Sequence, residues 1–596
     1  MTGGGAQSRW AARLMDGFAA SGVREVVVSP GSRTTPLVLA AAAHPELSLV
    51  PVVDERAASF FALGLARVTG RPALLVCTSG SAGAHYLPAI VEASLGRVPL
   101  VALTADRPPE LHARAASQTI DQAHLFGGHV RLFIDLGAAP DDRAALDAAA
   151  STAALAVHAA RTPTPGPVHL NARLRKPLEP PRAARAEAPG PSPARGWPAV
   201  RVADPGAVDA LAAALADSRR PLIACGPGPL AQTSLRAAAH ELSRLAGAPL
   251  LAEATSQLRF TGADDGARCD AFDALLRSAA WIDNRRPDLL VQLGMPPVSN
   301  GWQRAARALE GVPLHVASPS GWCDPLGRAQ EIVESDLGPL LASVSARLRD
   351  LSGAGAPHER RESWRAAWRL ASREVLRRFA RETDRDDRPL TEPSAVVTVT
   401  SELPEDSLLM LGNSLPVREV DAFCPGTLAR IGVLHQRGAS GIDGQVAGAA
   451  GAAAASPADA PGVTLLVGDV GFAHDLGGLA CAAGLHVPLV VVVLQNGGGR
   501  LFDLLPIGER DDLRPSFERY FLTPPELEVS AAARAYGHRF ERAVSVPELA
   551  AQMREAHASA GCTVIEAVVE PTSAARLQHE LWRIADEVAT ESGAAG

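Results

Sequence analysis

Lysine is almost absent from this sequence: of its 57 basic residues only Lys176 is a lysine, and the others are arginines. A P-loop needs a lysine after its glycines and a pyridoxal enzyme needs one for its Schiff base, and the surroundings of Lys176, RLRKPLEP, suit neither. Anionic groups must therefore be held by arginine, metal or backbone amides. Arginine binds carboxylates through two parallel hydrogen bonds, so an arginine-rich pocket suits substrates with several carboxylates. Genomic base composition explains the arginine excess equally well.

Cysteine pairs and long apolar runs are also missing. The seven cysteines lie far apart without a CxxC pair, so neither a disulfide framework nor a zinc site is indicated. No apolar run approaches the ~20 residues that span a bilayer. The formal charge of −8 is spread along the chain, which argues against a nucleic-acid binder. We expect a cytoplasmic enzyme with no membrane insertion and no nucleic-acid partner.

The length of 596 residues predicts roughly two to four domains. Short β-rich runs alternate with alanine-rich helical stretches, which is the pattern of parallel sheets with helices on both faces. The predicted strands form three sets: VREVVVSPGS, LSLVPVVDE, PALLVCTSG, VPLVALTADR and PGPVHLN; PLIACGPG, APLLAEA, LLVQLG and PLHVAS; and SLLMLGNS, ARIGVLHQRGASG, GVTLLVGDVG, VPLVVVVLQNGG and CTVIEAVVE. The predicted fold is α/β, with three doubly wound parallel-sheet domains.

Two stretches mark the domain boundaries. PRAARAEAPGPSPARGWPAV has the Pro and Ala content of an interdomain linker, and the polar SGAGAPHERRES precedes a long helix. We predict a first domain over 1–180, a linker over 181–200, a central domain over 201–350, a linker and helix over 351–385 and a third domain over 386–596.

The strongest chemical pattern lies in LLVGDVGFAHDLGGLACAAGLHVPLVVVVLQNGGG. One strand ends at Gly468-Asp469 and the next ends at Gln495-Asn496, and ligands of open parallel sheets bind beyond such ends. The glycine lets a diphosphate approach the backbone. Asp469, Asn496 and the Gly498 carbonyl then offer the hard oxygen ligands that suit Mg²⁺.

This spacing resembles the GD(x25–30)N signature of thiamine-diphosphate enzymes, whose fold would also account for three domains. Their usual motif has Asn-Asn where this sequence has Gln495-Asn496, and the ligand position Asn496 is kept. The resemblance implies thiamine diphosphate as cofactor, with Mg²⁺, or Mn²⁺ in its place. The alternative is two ordinary turns, in which Asp469 caps a helix and Asn-Gly forms a turn.

Glu55 follows a predicted strand in LVPVVDERAASFFALGLA and begins a helix. Taken alone, an acidic residue in a first helical turn is usually a cap that favours the helix dipole. Thiamine enzymes have a catalytic carboxylate here that hydrogen-bonds the aminopyrimidine, and the resemblance assigns this role to Glu55. It also implies a pyrimidine-binding first domain, a diphosphate-binding third domain, and a homodimer at minimum, or a dimer of dimers, since Glu55 of one subunit would serve cofactor held by the other.

Six segments are similar to the 2-succinyl-5-enolpyruvyl-6-hydroxy-3-cyclohexene-1-carboxylate synthases, a thiamine-enzyme family of menaquinone biosynthesis. They are SPGSRTTPL, TSGSAGAHYLPAIVEA, LTADRPPEL, SQTIDQ, LGNSLPVREVD and QRGASGIDG. This family decarboxylates 2-oxoglutarate and adds the remaining unit to isochorismate. The resemblance implies two sets of substrate-binding residues: Ser32, Arg33, Arg107, Ser117 and Gln118 for isochorismate, and Ser414, Arg418 and Arg437 for 2-oxoglutarate.

The same resemblance implies the remaining site residues. Ile442 would be the apolar wedge that bends the cofactor, and Leu501, Phe502 and Leu505 would form an apolar wall that excludes water. The implied cofactor-binding residues are Thr78, Ser79, Gly80, Asn413, Gly441, Ile442, Gly468, Asp469, Asn496 and Gly498.

Two positions depart from the family pattern. Asn300 stands where many relatives have a substrate-facing lysine, which leaves Arg304 as the nearest replacement. Ser117 replaces a frequent asparagine before Gln118. Three alternatives stay open: another thiamine-dependent 2-oxoacid decarboxylase or carboligase, a non-catalytic protein of the thiamine-enzyme fold, and a Rossmann-type oxidoreductase. The last is prompted by CGPGPL, which lacks GxGxxG spacing.

Overall fold

The computed structural model describes residues 3–138, 142–180, 192–263, 266–352, 358–383, 389–426 and 429–594. The chain forms two compact units. The first contains residues 1–199, 436–458 and 474–487, and the second contains residues 200–435, 459–473 and 488–596.

The first of three sheets has strands β1 (Glu25–Val28), β2 (Ser48–Pro51), β3 (Ala73–Cys77), β4 (Leu100–Asp106), β5 (Leu132–Ala138) and β6 (Pro167–Arg173). They are all parallel, in the order β2-β1-β3-β4-β6-β5. Its helices are α1 (Gly3–Ala20), α2 (Thr35–Ala43), α3 (Glu55–Thr69), α4 (Leu87–Gly96) and α5 (Arg143–Arg161).

The second sheet has strands β7 (Pro221–Cys225), β8 (Leu250–Ala252), β9 (Leu289–Leu293), β10 (Leu314–Ser318) and β11 (Glu331–Glu334). They are parallel, in the order β11-β10-β9-β7-β8. The helices here are α6 (Pro205–Asp217), α7 (Arg236–Ala246), α8 (Phe272–Arg277), α9 (Ala279–Asn284), α10 (Asn300–Ala308), α11 (Leu337–Ser352) and α12 (His358–Thr383).

The third sheet has strands β12 (Leu408–Leu411), β13 (Gly432–His435), β14 (Val463–Gly468), β15 (Pro488–Gln495), β16 (Arg539–Ala543) and β17 (Gly561–Val568). They are parallel, in the order β13-β12-β14-β15-β17-β16. Its helices are α13 (Glu392–Ser401), α14 (Leu415–Phe423), α15 (Gln445–Ala455), α16 (Asp469–His474), α17 (Arg514–Phe517), α18 (Val529–Ala535), α19 (Val546–His557) and α20 (Ser573–Ala594).

Helices cover both faces of the first sheet. Val26 and Leu74 pack with Trp10 and Phe18 of α1 in one buried cluster, which α5 completes. Helix α3 lies against β1, β3 and β4, and side chains such as Val27 point to that opposite face because strand side chains alternate. Because strands of this sheet are buried on both faces, their sequences are continuous runs of Val, Leu and Ala, and these runs predicted the strands.

Within the first unit, α3 packs directly on α15 through small residues. A Cβ added at Gly64 would lie 2.0 Å from the carbonyl oxygen of Gly448, and one at Gly451 would lie 2.0 Å from that of Phe61. The two backbones therefore touch. Since α3 begins with Glu55 and α15 follows the loop that contains Ile442, this packing fixes their relative position.

The predicted α/β class with three parallel-sheet domains is confirmed. Three strands were not predicted, namely β5, β11 and β16, and each is an edge strand of its sheet. The predicted linker falls largely on residues 181–191, which lie outside the described residues, as do 353–357 and 384–388 in the second predicted linker. None of the described helices is both long enough and apolar enough to cross a membrane.

Candidate active site

The second unit brings Gly468, Asp469 and Asn496 together. Strands β14 and β15 are parallel neighbours, with Gly468 opposite Leu494, so their carboxyl ends meet at one edge of the sheet. Asp469 is 3% exposed, and its carboxylate accepts hydrogen bonds from the backbone N–H groups of Val470 (2.7 Å), Gly497 (3.0 Å) and Gly498 (2.8 Å). A Cβ at Gly468 would meet nothing within 4 Å, which leaves open space at the turn.

Asn496 presents an oxygen without a partner. Its Nδ2 donates to both carboxylate oxygens of Glu392, at 3.1 and 2.9 Å. Its Oδ1 is buried and makes no hydrogen bond among the described residues. Asp469 Oδ1 accepts only the Val470 N–H and keeps a second lone pair, whereas Oδ2 accepts both the Gly497 and Gly498 N–H groups. These oxygen donors fit the ligand set of a hard divalent cation.

Burial raises the pKa values of three acidic side chains around this turn. It raises the pKa of Asp469, while the backbone N–H groups and Arg500 lower it. Burial likewise raises the pKa of Glu392 to about 7, and raises that of Glu419, its buried neighbour, well above the usual value. A cation at this turn would compensate charge that the surrounding protein disfavours.

Only glycine fits at position 498. Its φ is +116°, and a Cβ there would lie 2.1 Å from the carbonyl oxygen of Leu522. The next turn carries Arg500, whose Nε donates to the Asn496 carbonyl at 3.1 Å.

Leu501 and Phe502 are partly buried, and Leu505 is 40% exposed, so the predicted apolar wall borders solvent in the isolated chain.

A third strand end contributes Asn413, Ser414 and Arg418. Strand β12 lies beside β14, with Leu411 opposite Leu466. Ser414 has φ +76°, a strained conformation for a residue with a side chain. The Arg418 guanidinium donates to the Ser414 carbonyl at 2.6 Å and forms no salt bridge among the described residues. Burial lowers the pKa of Arg418.

In the first unit, Glu55 is the first residue of α3 but does not cap it. The helix is capped by Asp54, whose side chain accepts hydrogen bonds from the backbone N–H groups of Arg56 and Ala57. Glu55 is half-buried. Burial raises the pKa of Cys77 to about 12 and that of Tyr86 above its usual value, and the charge of Glu55 raises both further. Asp54 therefore provides the side-chain cap, while Glu55 lies in the first turn, where its charge favours the helix dipole.

Ser32 and Arg33 lie in a single turn of 3₁₀ helix directly after β1. A Cβ at Gly31 would lie 2.3 Å from the Thr78 side chain, so this turn abuts the segment Thr78–Gly80. Arg33 is 4% exposed, and its Nη1 donates to the Leu174 carbonyl at 2.7 Å. Its Nε has no hydrogen-bond partner among the described residues.

Arg107, Gln118 and Ser79 form a second group. The Arg107 Nη2 donates to Gln118 Oε1 at 3.3 Å, and Gln118 Nε2 donates to the Ser79 carbonyl at 3.4 Å. The Ser79 hydroxyl and the Arg107 Nε are buried without partners in the described part of the chain. Gln118 has φ +53°, and Ser117 beside it is exposed.

A buried polar network lies beneath this group. Gly80 N donates to Gln122 Oε1 at 3.1 Å, Gln122 Nε2 donates to Asn171 Oδ1 at 3.0 Å, and Asn171 Nδ2 donates to Asp106 Oδ2 at 2.9 Å. Each amide orientation is fixed by its neighbour. The network links Asp106, the residue before Arg107, to the Gly80 turn.

Glu92 holds the loop that contains Arg437, Gly441 and Ile442. Its carboxylate accepts from the backbone N–H groups of Gly438 (3.0 Å) and Ala439 (2.7 Å) and pairs with Arg67 at 2.6 Å. A Cβ at Gly438 would clash with the backbone of α4. Ile442 is partly buried in this loop.

Sequence reasoning missed Glu392, Glu92, Gln122 and Asn171. Glu92 carried a signal, since it is a charged residue among the apolar residues of LPAIVEASLG. The other three depend on partners far along the chain. Asn300, the remaining departure from the family pattern, begins α10 and is exposed. Arg304, its nearest replacement, lies one turn later and is also exposed.

Known families match both ends of the chain. Residues 9–125 match "Thiamine pyrophosphate enzyme, N-terminal TPP binding domain", and residues 430–567 match "Thiamine pyrophosphate enzyme, C-terminal TPP binding domain". The two matches cover the strand ends that carry Glu55 and Asp469 respectively.

Solved structures share the fold. Benzoylformate decarboxylase from Polynucleobacter necessarius superposes with a TM-score of 0.71 at 17% identity, covering 94% of this chain and 98% of its own. A putative thiamin diphosphate-dependent enzyme from Mycobacterium smegmatis superposes with a TM-score of 0.68 at 19% identity, covering 93% and 98%. At these identities the likeness establishes the fold alone.

Relatives that match nearly the full chain identify the family more closely. Proteins named 2-succinyl-5-enolpyruvyl-6-hydroxy-3-cyclohexene-1-carboxylate synthase are 44% identical in Sorangium cellulosum, over 98% of this chain and 96% of theirs. In Geobacillus kaustophilus the identity is 38%, over 98% of both chains, and in Myxococcus xanthus it is 38%, over 92% of both. The chain therefore belongs to the 2-succinyl-5-enolpyruvyl-6-hydroxy-3-cyclohexene-1-carboxylate synthases, a family of thiamine-diphosphate-dependent enzymes.

Proposed function

We propose that the protein decarboxylates 2-oxoglutarate and adds the resulting succinyl semialdehyde unit to isochorismate, releasing CO₂, as a step of menaquinone biosynthesis. The observation that carries this proposal is a set of arginines without carboxylate partners. Arg33 follows β1, Arg107 follows β4, and Arg418 lies in the first turn of α14, the helix after β12. None of the three forms a salt bridge among the described residues.

Arginines elsewhere in the chain do pair with carboxylates. Arg173 pairs with Asp135 at 2.6 Å and Arg430 with Asp406 at 2.7 Å. Leaving a partly buried guanidinium without a carboxylate is unfavourable unless a ligand completes it. The two substrates carry several carboxylates, and unpaired planar guanidinium groups are suited to binding them. A decarboxylase of a small apolar substrate would not need this set.

We further propose that Asp469, Asn496 and the Gly498 carbonyl hold Mg²⁺ or Mn²⁺ on the cofactor's diphosphate. The unpartnered Asn496 Oδ1 and the open space at Gly468 support this assignment. Thr78, Ser79, Gly80, Asn413, Gly441 and Ile442 would contact the remainder of the cofactor. When bound, thiamine diphosphate supplies the electron sink for decarboxylation and for the new carbon–carbon bond.

Glu55 would accept a hydrogen bond from the cofactor's aminopyrimidine ring through its carboxylate. The side-chain cap of α3 is Asp54, which leaves the Glu55 carboxylate available for this role. Ser32, Arg33, Arg107, Ser117 and Gln118 would orient isochorismate, and Ser414, Arg418 and Arg437 would bind the carboxylates of 2-oxoglutarate. Leu501, Phe502 and Leu505 would exclude water from the reacting atoms.

A homodimer, or a dimer of dimers, is the proposed assembly, with Glu55 of one subunit serving cofactor held by its partner. The cytoplasm is the proposed compartment. All seven cysteines are buried and none of them forms a disulfide, which suits a reducing environment.

The reaction is tested by following isochorismate absorbance with 2-oxoglutarate, thiamine diphosphate and Mg²⁺, omitting one component at a time. We expect consumption only when all are present. Pyruvate and benzoylformate replace 2-oxoglutarate as controls. Turnover of either control at a rate matching 2-oxoglutarate, or isochorismate left unconsumed, would return the protein to the general thiamine-dependent decarboxylases.

A further inference from the structure

Glu392 is a fully buried carboxylate in contact with a proposed metal ligand. It is the first residue of α13 and has 0% exposure. Both of its oxygens accept hydrogen bonds from Asn496 Nδ2, at 3.1 and 2.9 Å. The Glu392 backbone N–H donates to Ser573 Oγ at 2.9 Å, which fixes the start of the helix.

This contact determines which end of the Asn496 amide faces the open turn. Because both Glu392 oxygens accept from Asn496 Nδ2, the NH₂ group of the amide faces Glu392 and its oxygen faces away. Without such a partner the amide can rotate by half a turn and present its NH₂ group instead, which cannot bind a cation. The Asn496 Oδ1, buried and unpartnered among the described residues, is the atom left available.

The main chain of Asn496 is held as well. The Arg500 Nε donates to the Asn496 carbonyl at 3.1 Å, and the next two backbone N–H groups, of Gly497 and Gly498, donate to Asp469. With the backbone fixed on one side and the amide on the other, a single direction remains for Oδ1.

We propose that Glu392 is a positioning residue that orients the Asn496 amide so that its oxygen binds the divalent cation. This inference rests on the proposed metal site of Asp469, Asn496 and Gly498. Removing a residue that hydrogen-bonds a metal ligand typically lowers the metal affinity by about 10- to 100-fold.

Glu253 provides a matched control. It is also fully buried, at 0% exposure, and its carboxylate accepts the Ser299 backbone N–H at 2.7 Å. Glu253→Gln removes the charge of another buried carboxylate without changing Glu392 or the Asn496 amide.

The test measures Mn²⁺ affinity by electron paramagnetic resonance of the full-length protein with saturating thiamine diphosphate. We expect Glu392→Gln to weaken Mn²⁺ binding by about 10- to 100-fold, while Glu253→Gln stays near wild type. The double variant Glu392→Gln, Asn496→Asp exchanges the hydrogen-bond donor and acceptor and should bind Mn²⁺ again. Its glutamine NH₂ donates to the new aspartate carboxylate, whose other oxygen faces the cation. Circular dichroism checks the fold of each variant.

The outcomes separate the two proposals. If the wild-type protein binds no Mn²⁺, or if Asp469→Ala binds it normally, the metal site itself is wrong and this inference falls with it. If the wild type binds but Glu392→Gln binds equally well, or Glu253→Gln loses as much, only the positioning role is overturned. Should Glu392→Gln fail to fold, the double variant decides: restored folding with Mn²⁺ binding supports the role, and folding without binding contradicts it.

Discussion

Asp469 has two tasks at one turn. Its carboxylate accepts three backbone N–H groups and is proposed to bind the cation that compensates the diphosphate charge. Asp469→Ala removes both, so we expect thiamine diphosphate affinity to fall by about 100-fold or more, equivalent to ~2.7 kcal/mol. Quenching of tryptophan fluorescence during cofactor titration with Mg²⁺ measures the change.

The exposed Asp459, which precedes β14, is the matched control for this substitution. Asp459→Ala should bind cofactor as the wild type does. Undiminished affinity in Asp469→Ala, or full activity of protein treated with EDTA, would remove the metal from the site.

Arg418 and Arg107 are proposed to hold different substrates, which makes their roles separable. If Arg418 grips the distal carboxylate of 2-oxoglutarate, Arg418→Ala loses a charge-assisted contact of about 1.5–3 kcal/mol. The kcat/KM for 2-oxoglutarate should then fall by about 10- to 100-fold. Arg107→Ala should leave decarboxylation intact and impair the isochorismate step.

Single-turnover CO₂ release without isochorismate distinguishes the two variants, and each serves as the control for the other. The assignment of the two substrates is wrong if Arg107→Ala abolishes CO₂ release, or if Arg418→Ala leaves its rate unchanged. The thiamine chemistry would survive either result.

The proposed ligand-binding residues could be predicted from the sequence more readily than the residues that position them. Asp469 and Asn496 follow neighbouring strands and are 27 positions apart, so their meeting follows from the parallel sheet. Glu392 lies more than 100 positions from Asn496, and nothing local to it indicates the contact. Asn171 is likewise an ordinary residue of β6 until Gln122 and Asp106 are placed beside it.

At the scale of elements, the contact of α3 with α15 depends on glycine. Gly64→Ala would place a methyl group 2.0 Å from the Gly448 carbonyl oxygen, which neither backbone can avoid without shifting. We expect destabilisation of about 1–3 kcal/mol, seen as a lower thermal midpoint. Activity should fall too, because the packing positions Glu55.

Gly338→Ala is the control for this substitution. It also lies in a helix, α11, but its new methyl group would be 3.4 Å from the Leu235 side chain, an ordinary contact. Helix propensity makes that change neutral or slightly stabilising. An unchanged midpoint in Gly64→Ala would mean that the two helices are not in backbone contact.

Most of the strands that the sequence predicted are buried and the missed ones are not; β2 was predicted although none of its residues is buried. Strands β4 and β9 are buried along their whole length and read as apolar runs. The missed edge strands β5, β11 and β16 have exposed or partly exposed residues at most positions. An edge strand pairs on one side only and tolerates polar residues, so sequences such as EIVE and RFERA carry no buried-strand signal. The pairing that makes them strands is set by the rest of the sheet.

At the scale of the whole molecule, the formal charge of −8 does not set the response to acid. Stability depends on pH only through groups whose pKa differs between the folded and unfolded chain. Two such groups in the first unit are shifted in opposite directions. Burial raises the pKa of Asp475, which accepts the Ala447 N–H, from 3.8 to about 6. Burial lowers the pKa of His169, which contacts Thr104 at 2.8 Å, from 6.5 to about 4.

These shifts predict opposite slopes. Between about pH 4 and 6, folded Asp475 retains a proton that the unfolded chain has released, so its contribution to the unfolding free energy decreases as pH rises. His169 contributes fully above pH 6.5, and its contribution is lost as pH falls towards 4. Thermal midpoints at pH 5 and 7 should therefore rise more steeply with pH in Asp475→Asn than in wild type, and less steeply in His169→Gln, each by the equivalent of ~1 kcal/mol. Parallel profiles for all three proteins would mean that neither group titrates differently on folding, and that the acid response comes from elsewhere in the molecule.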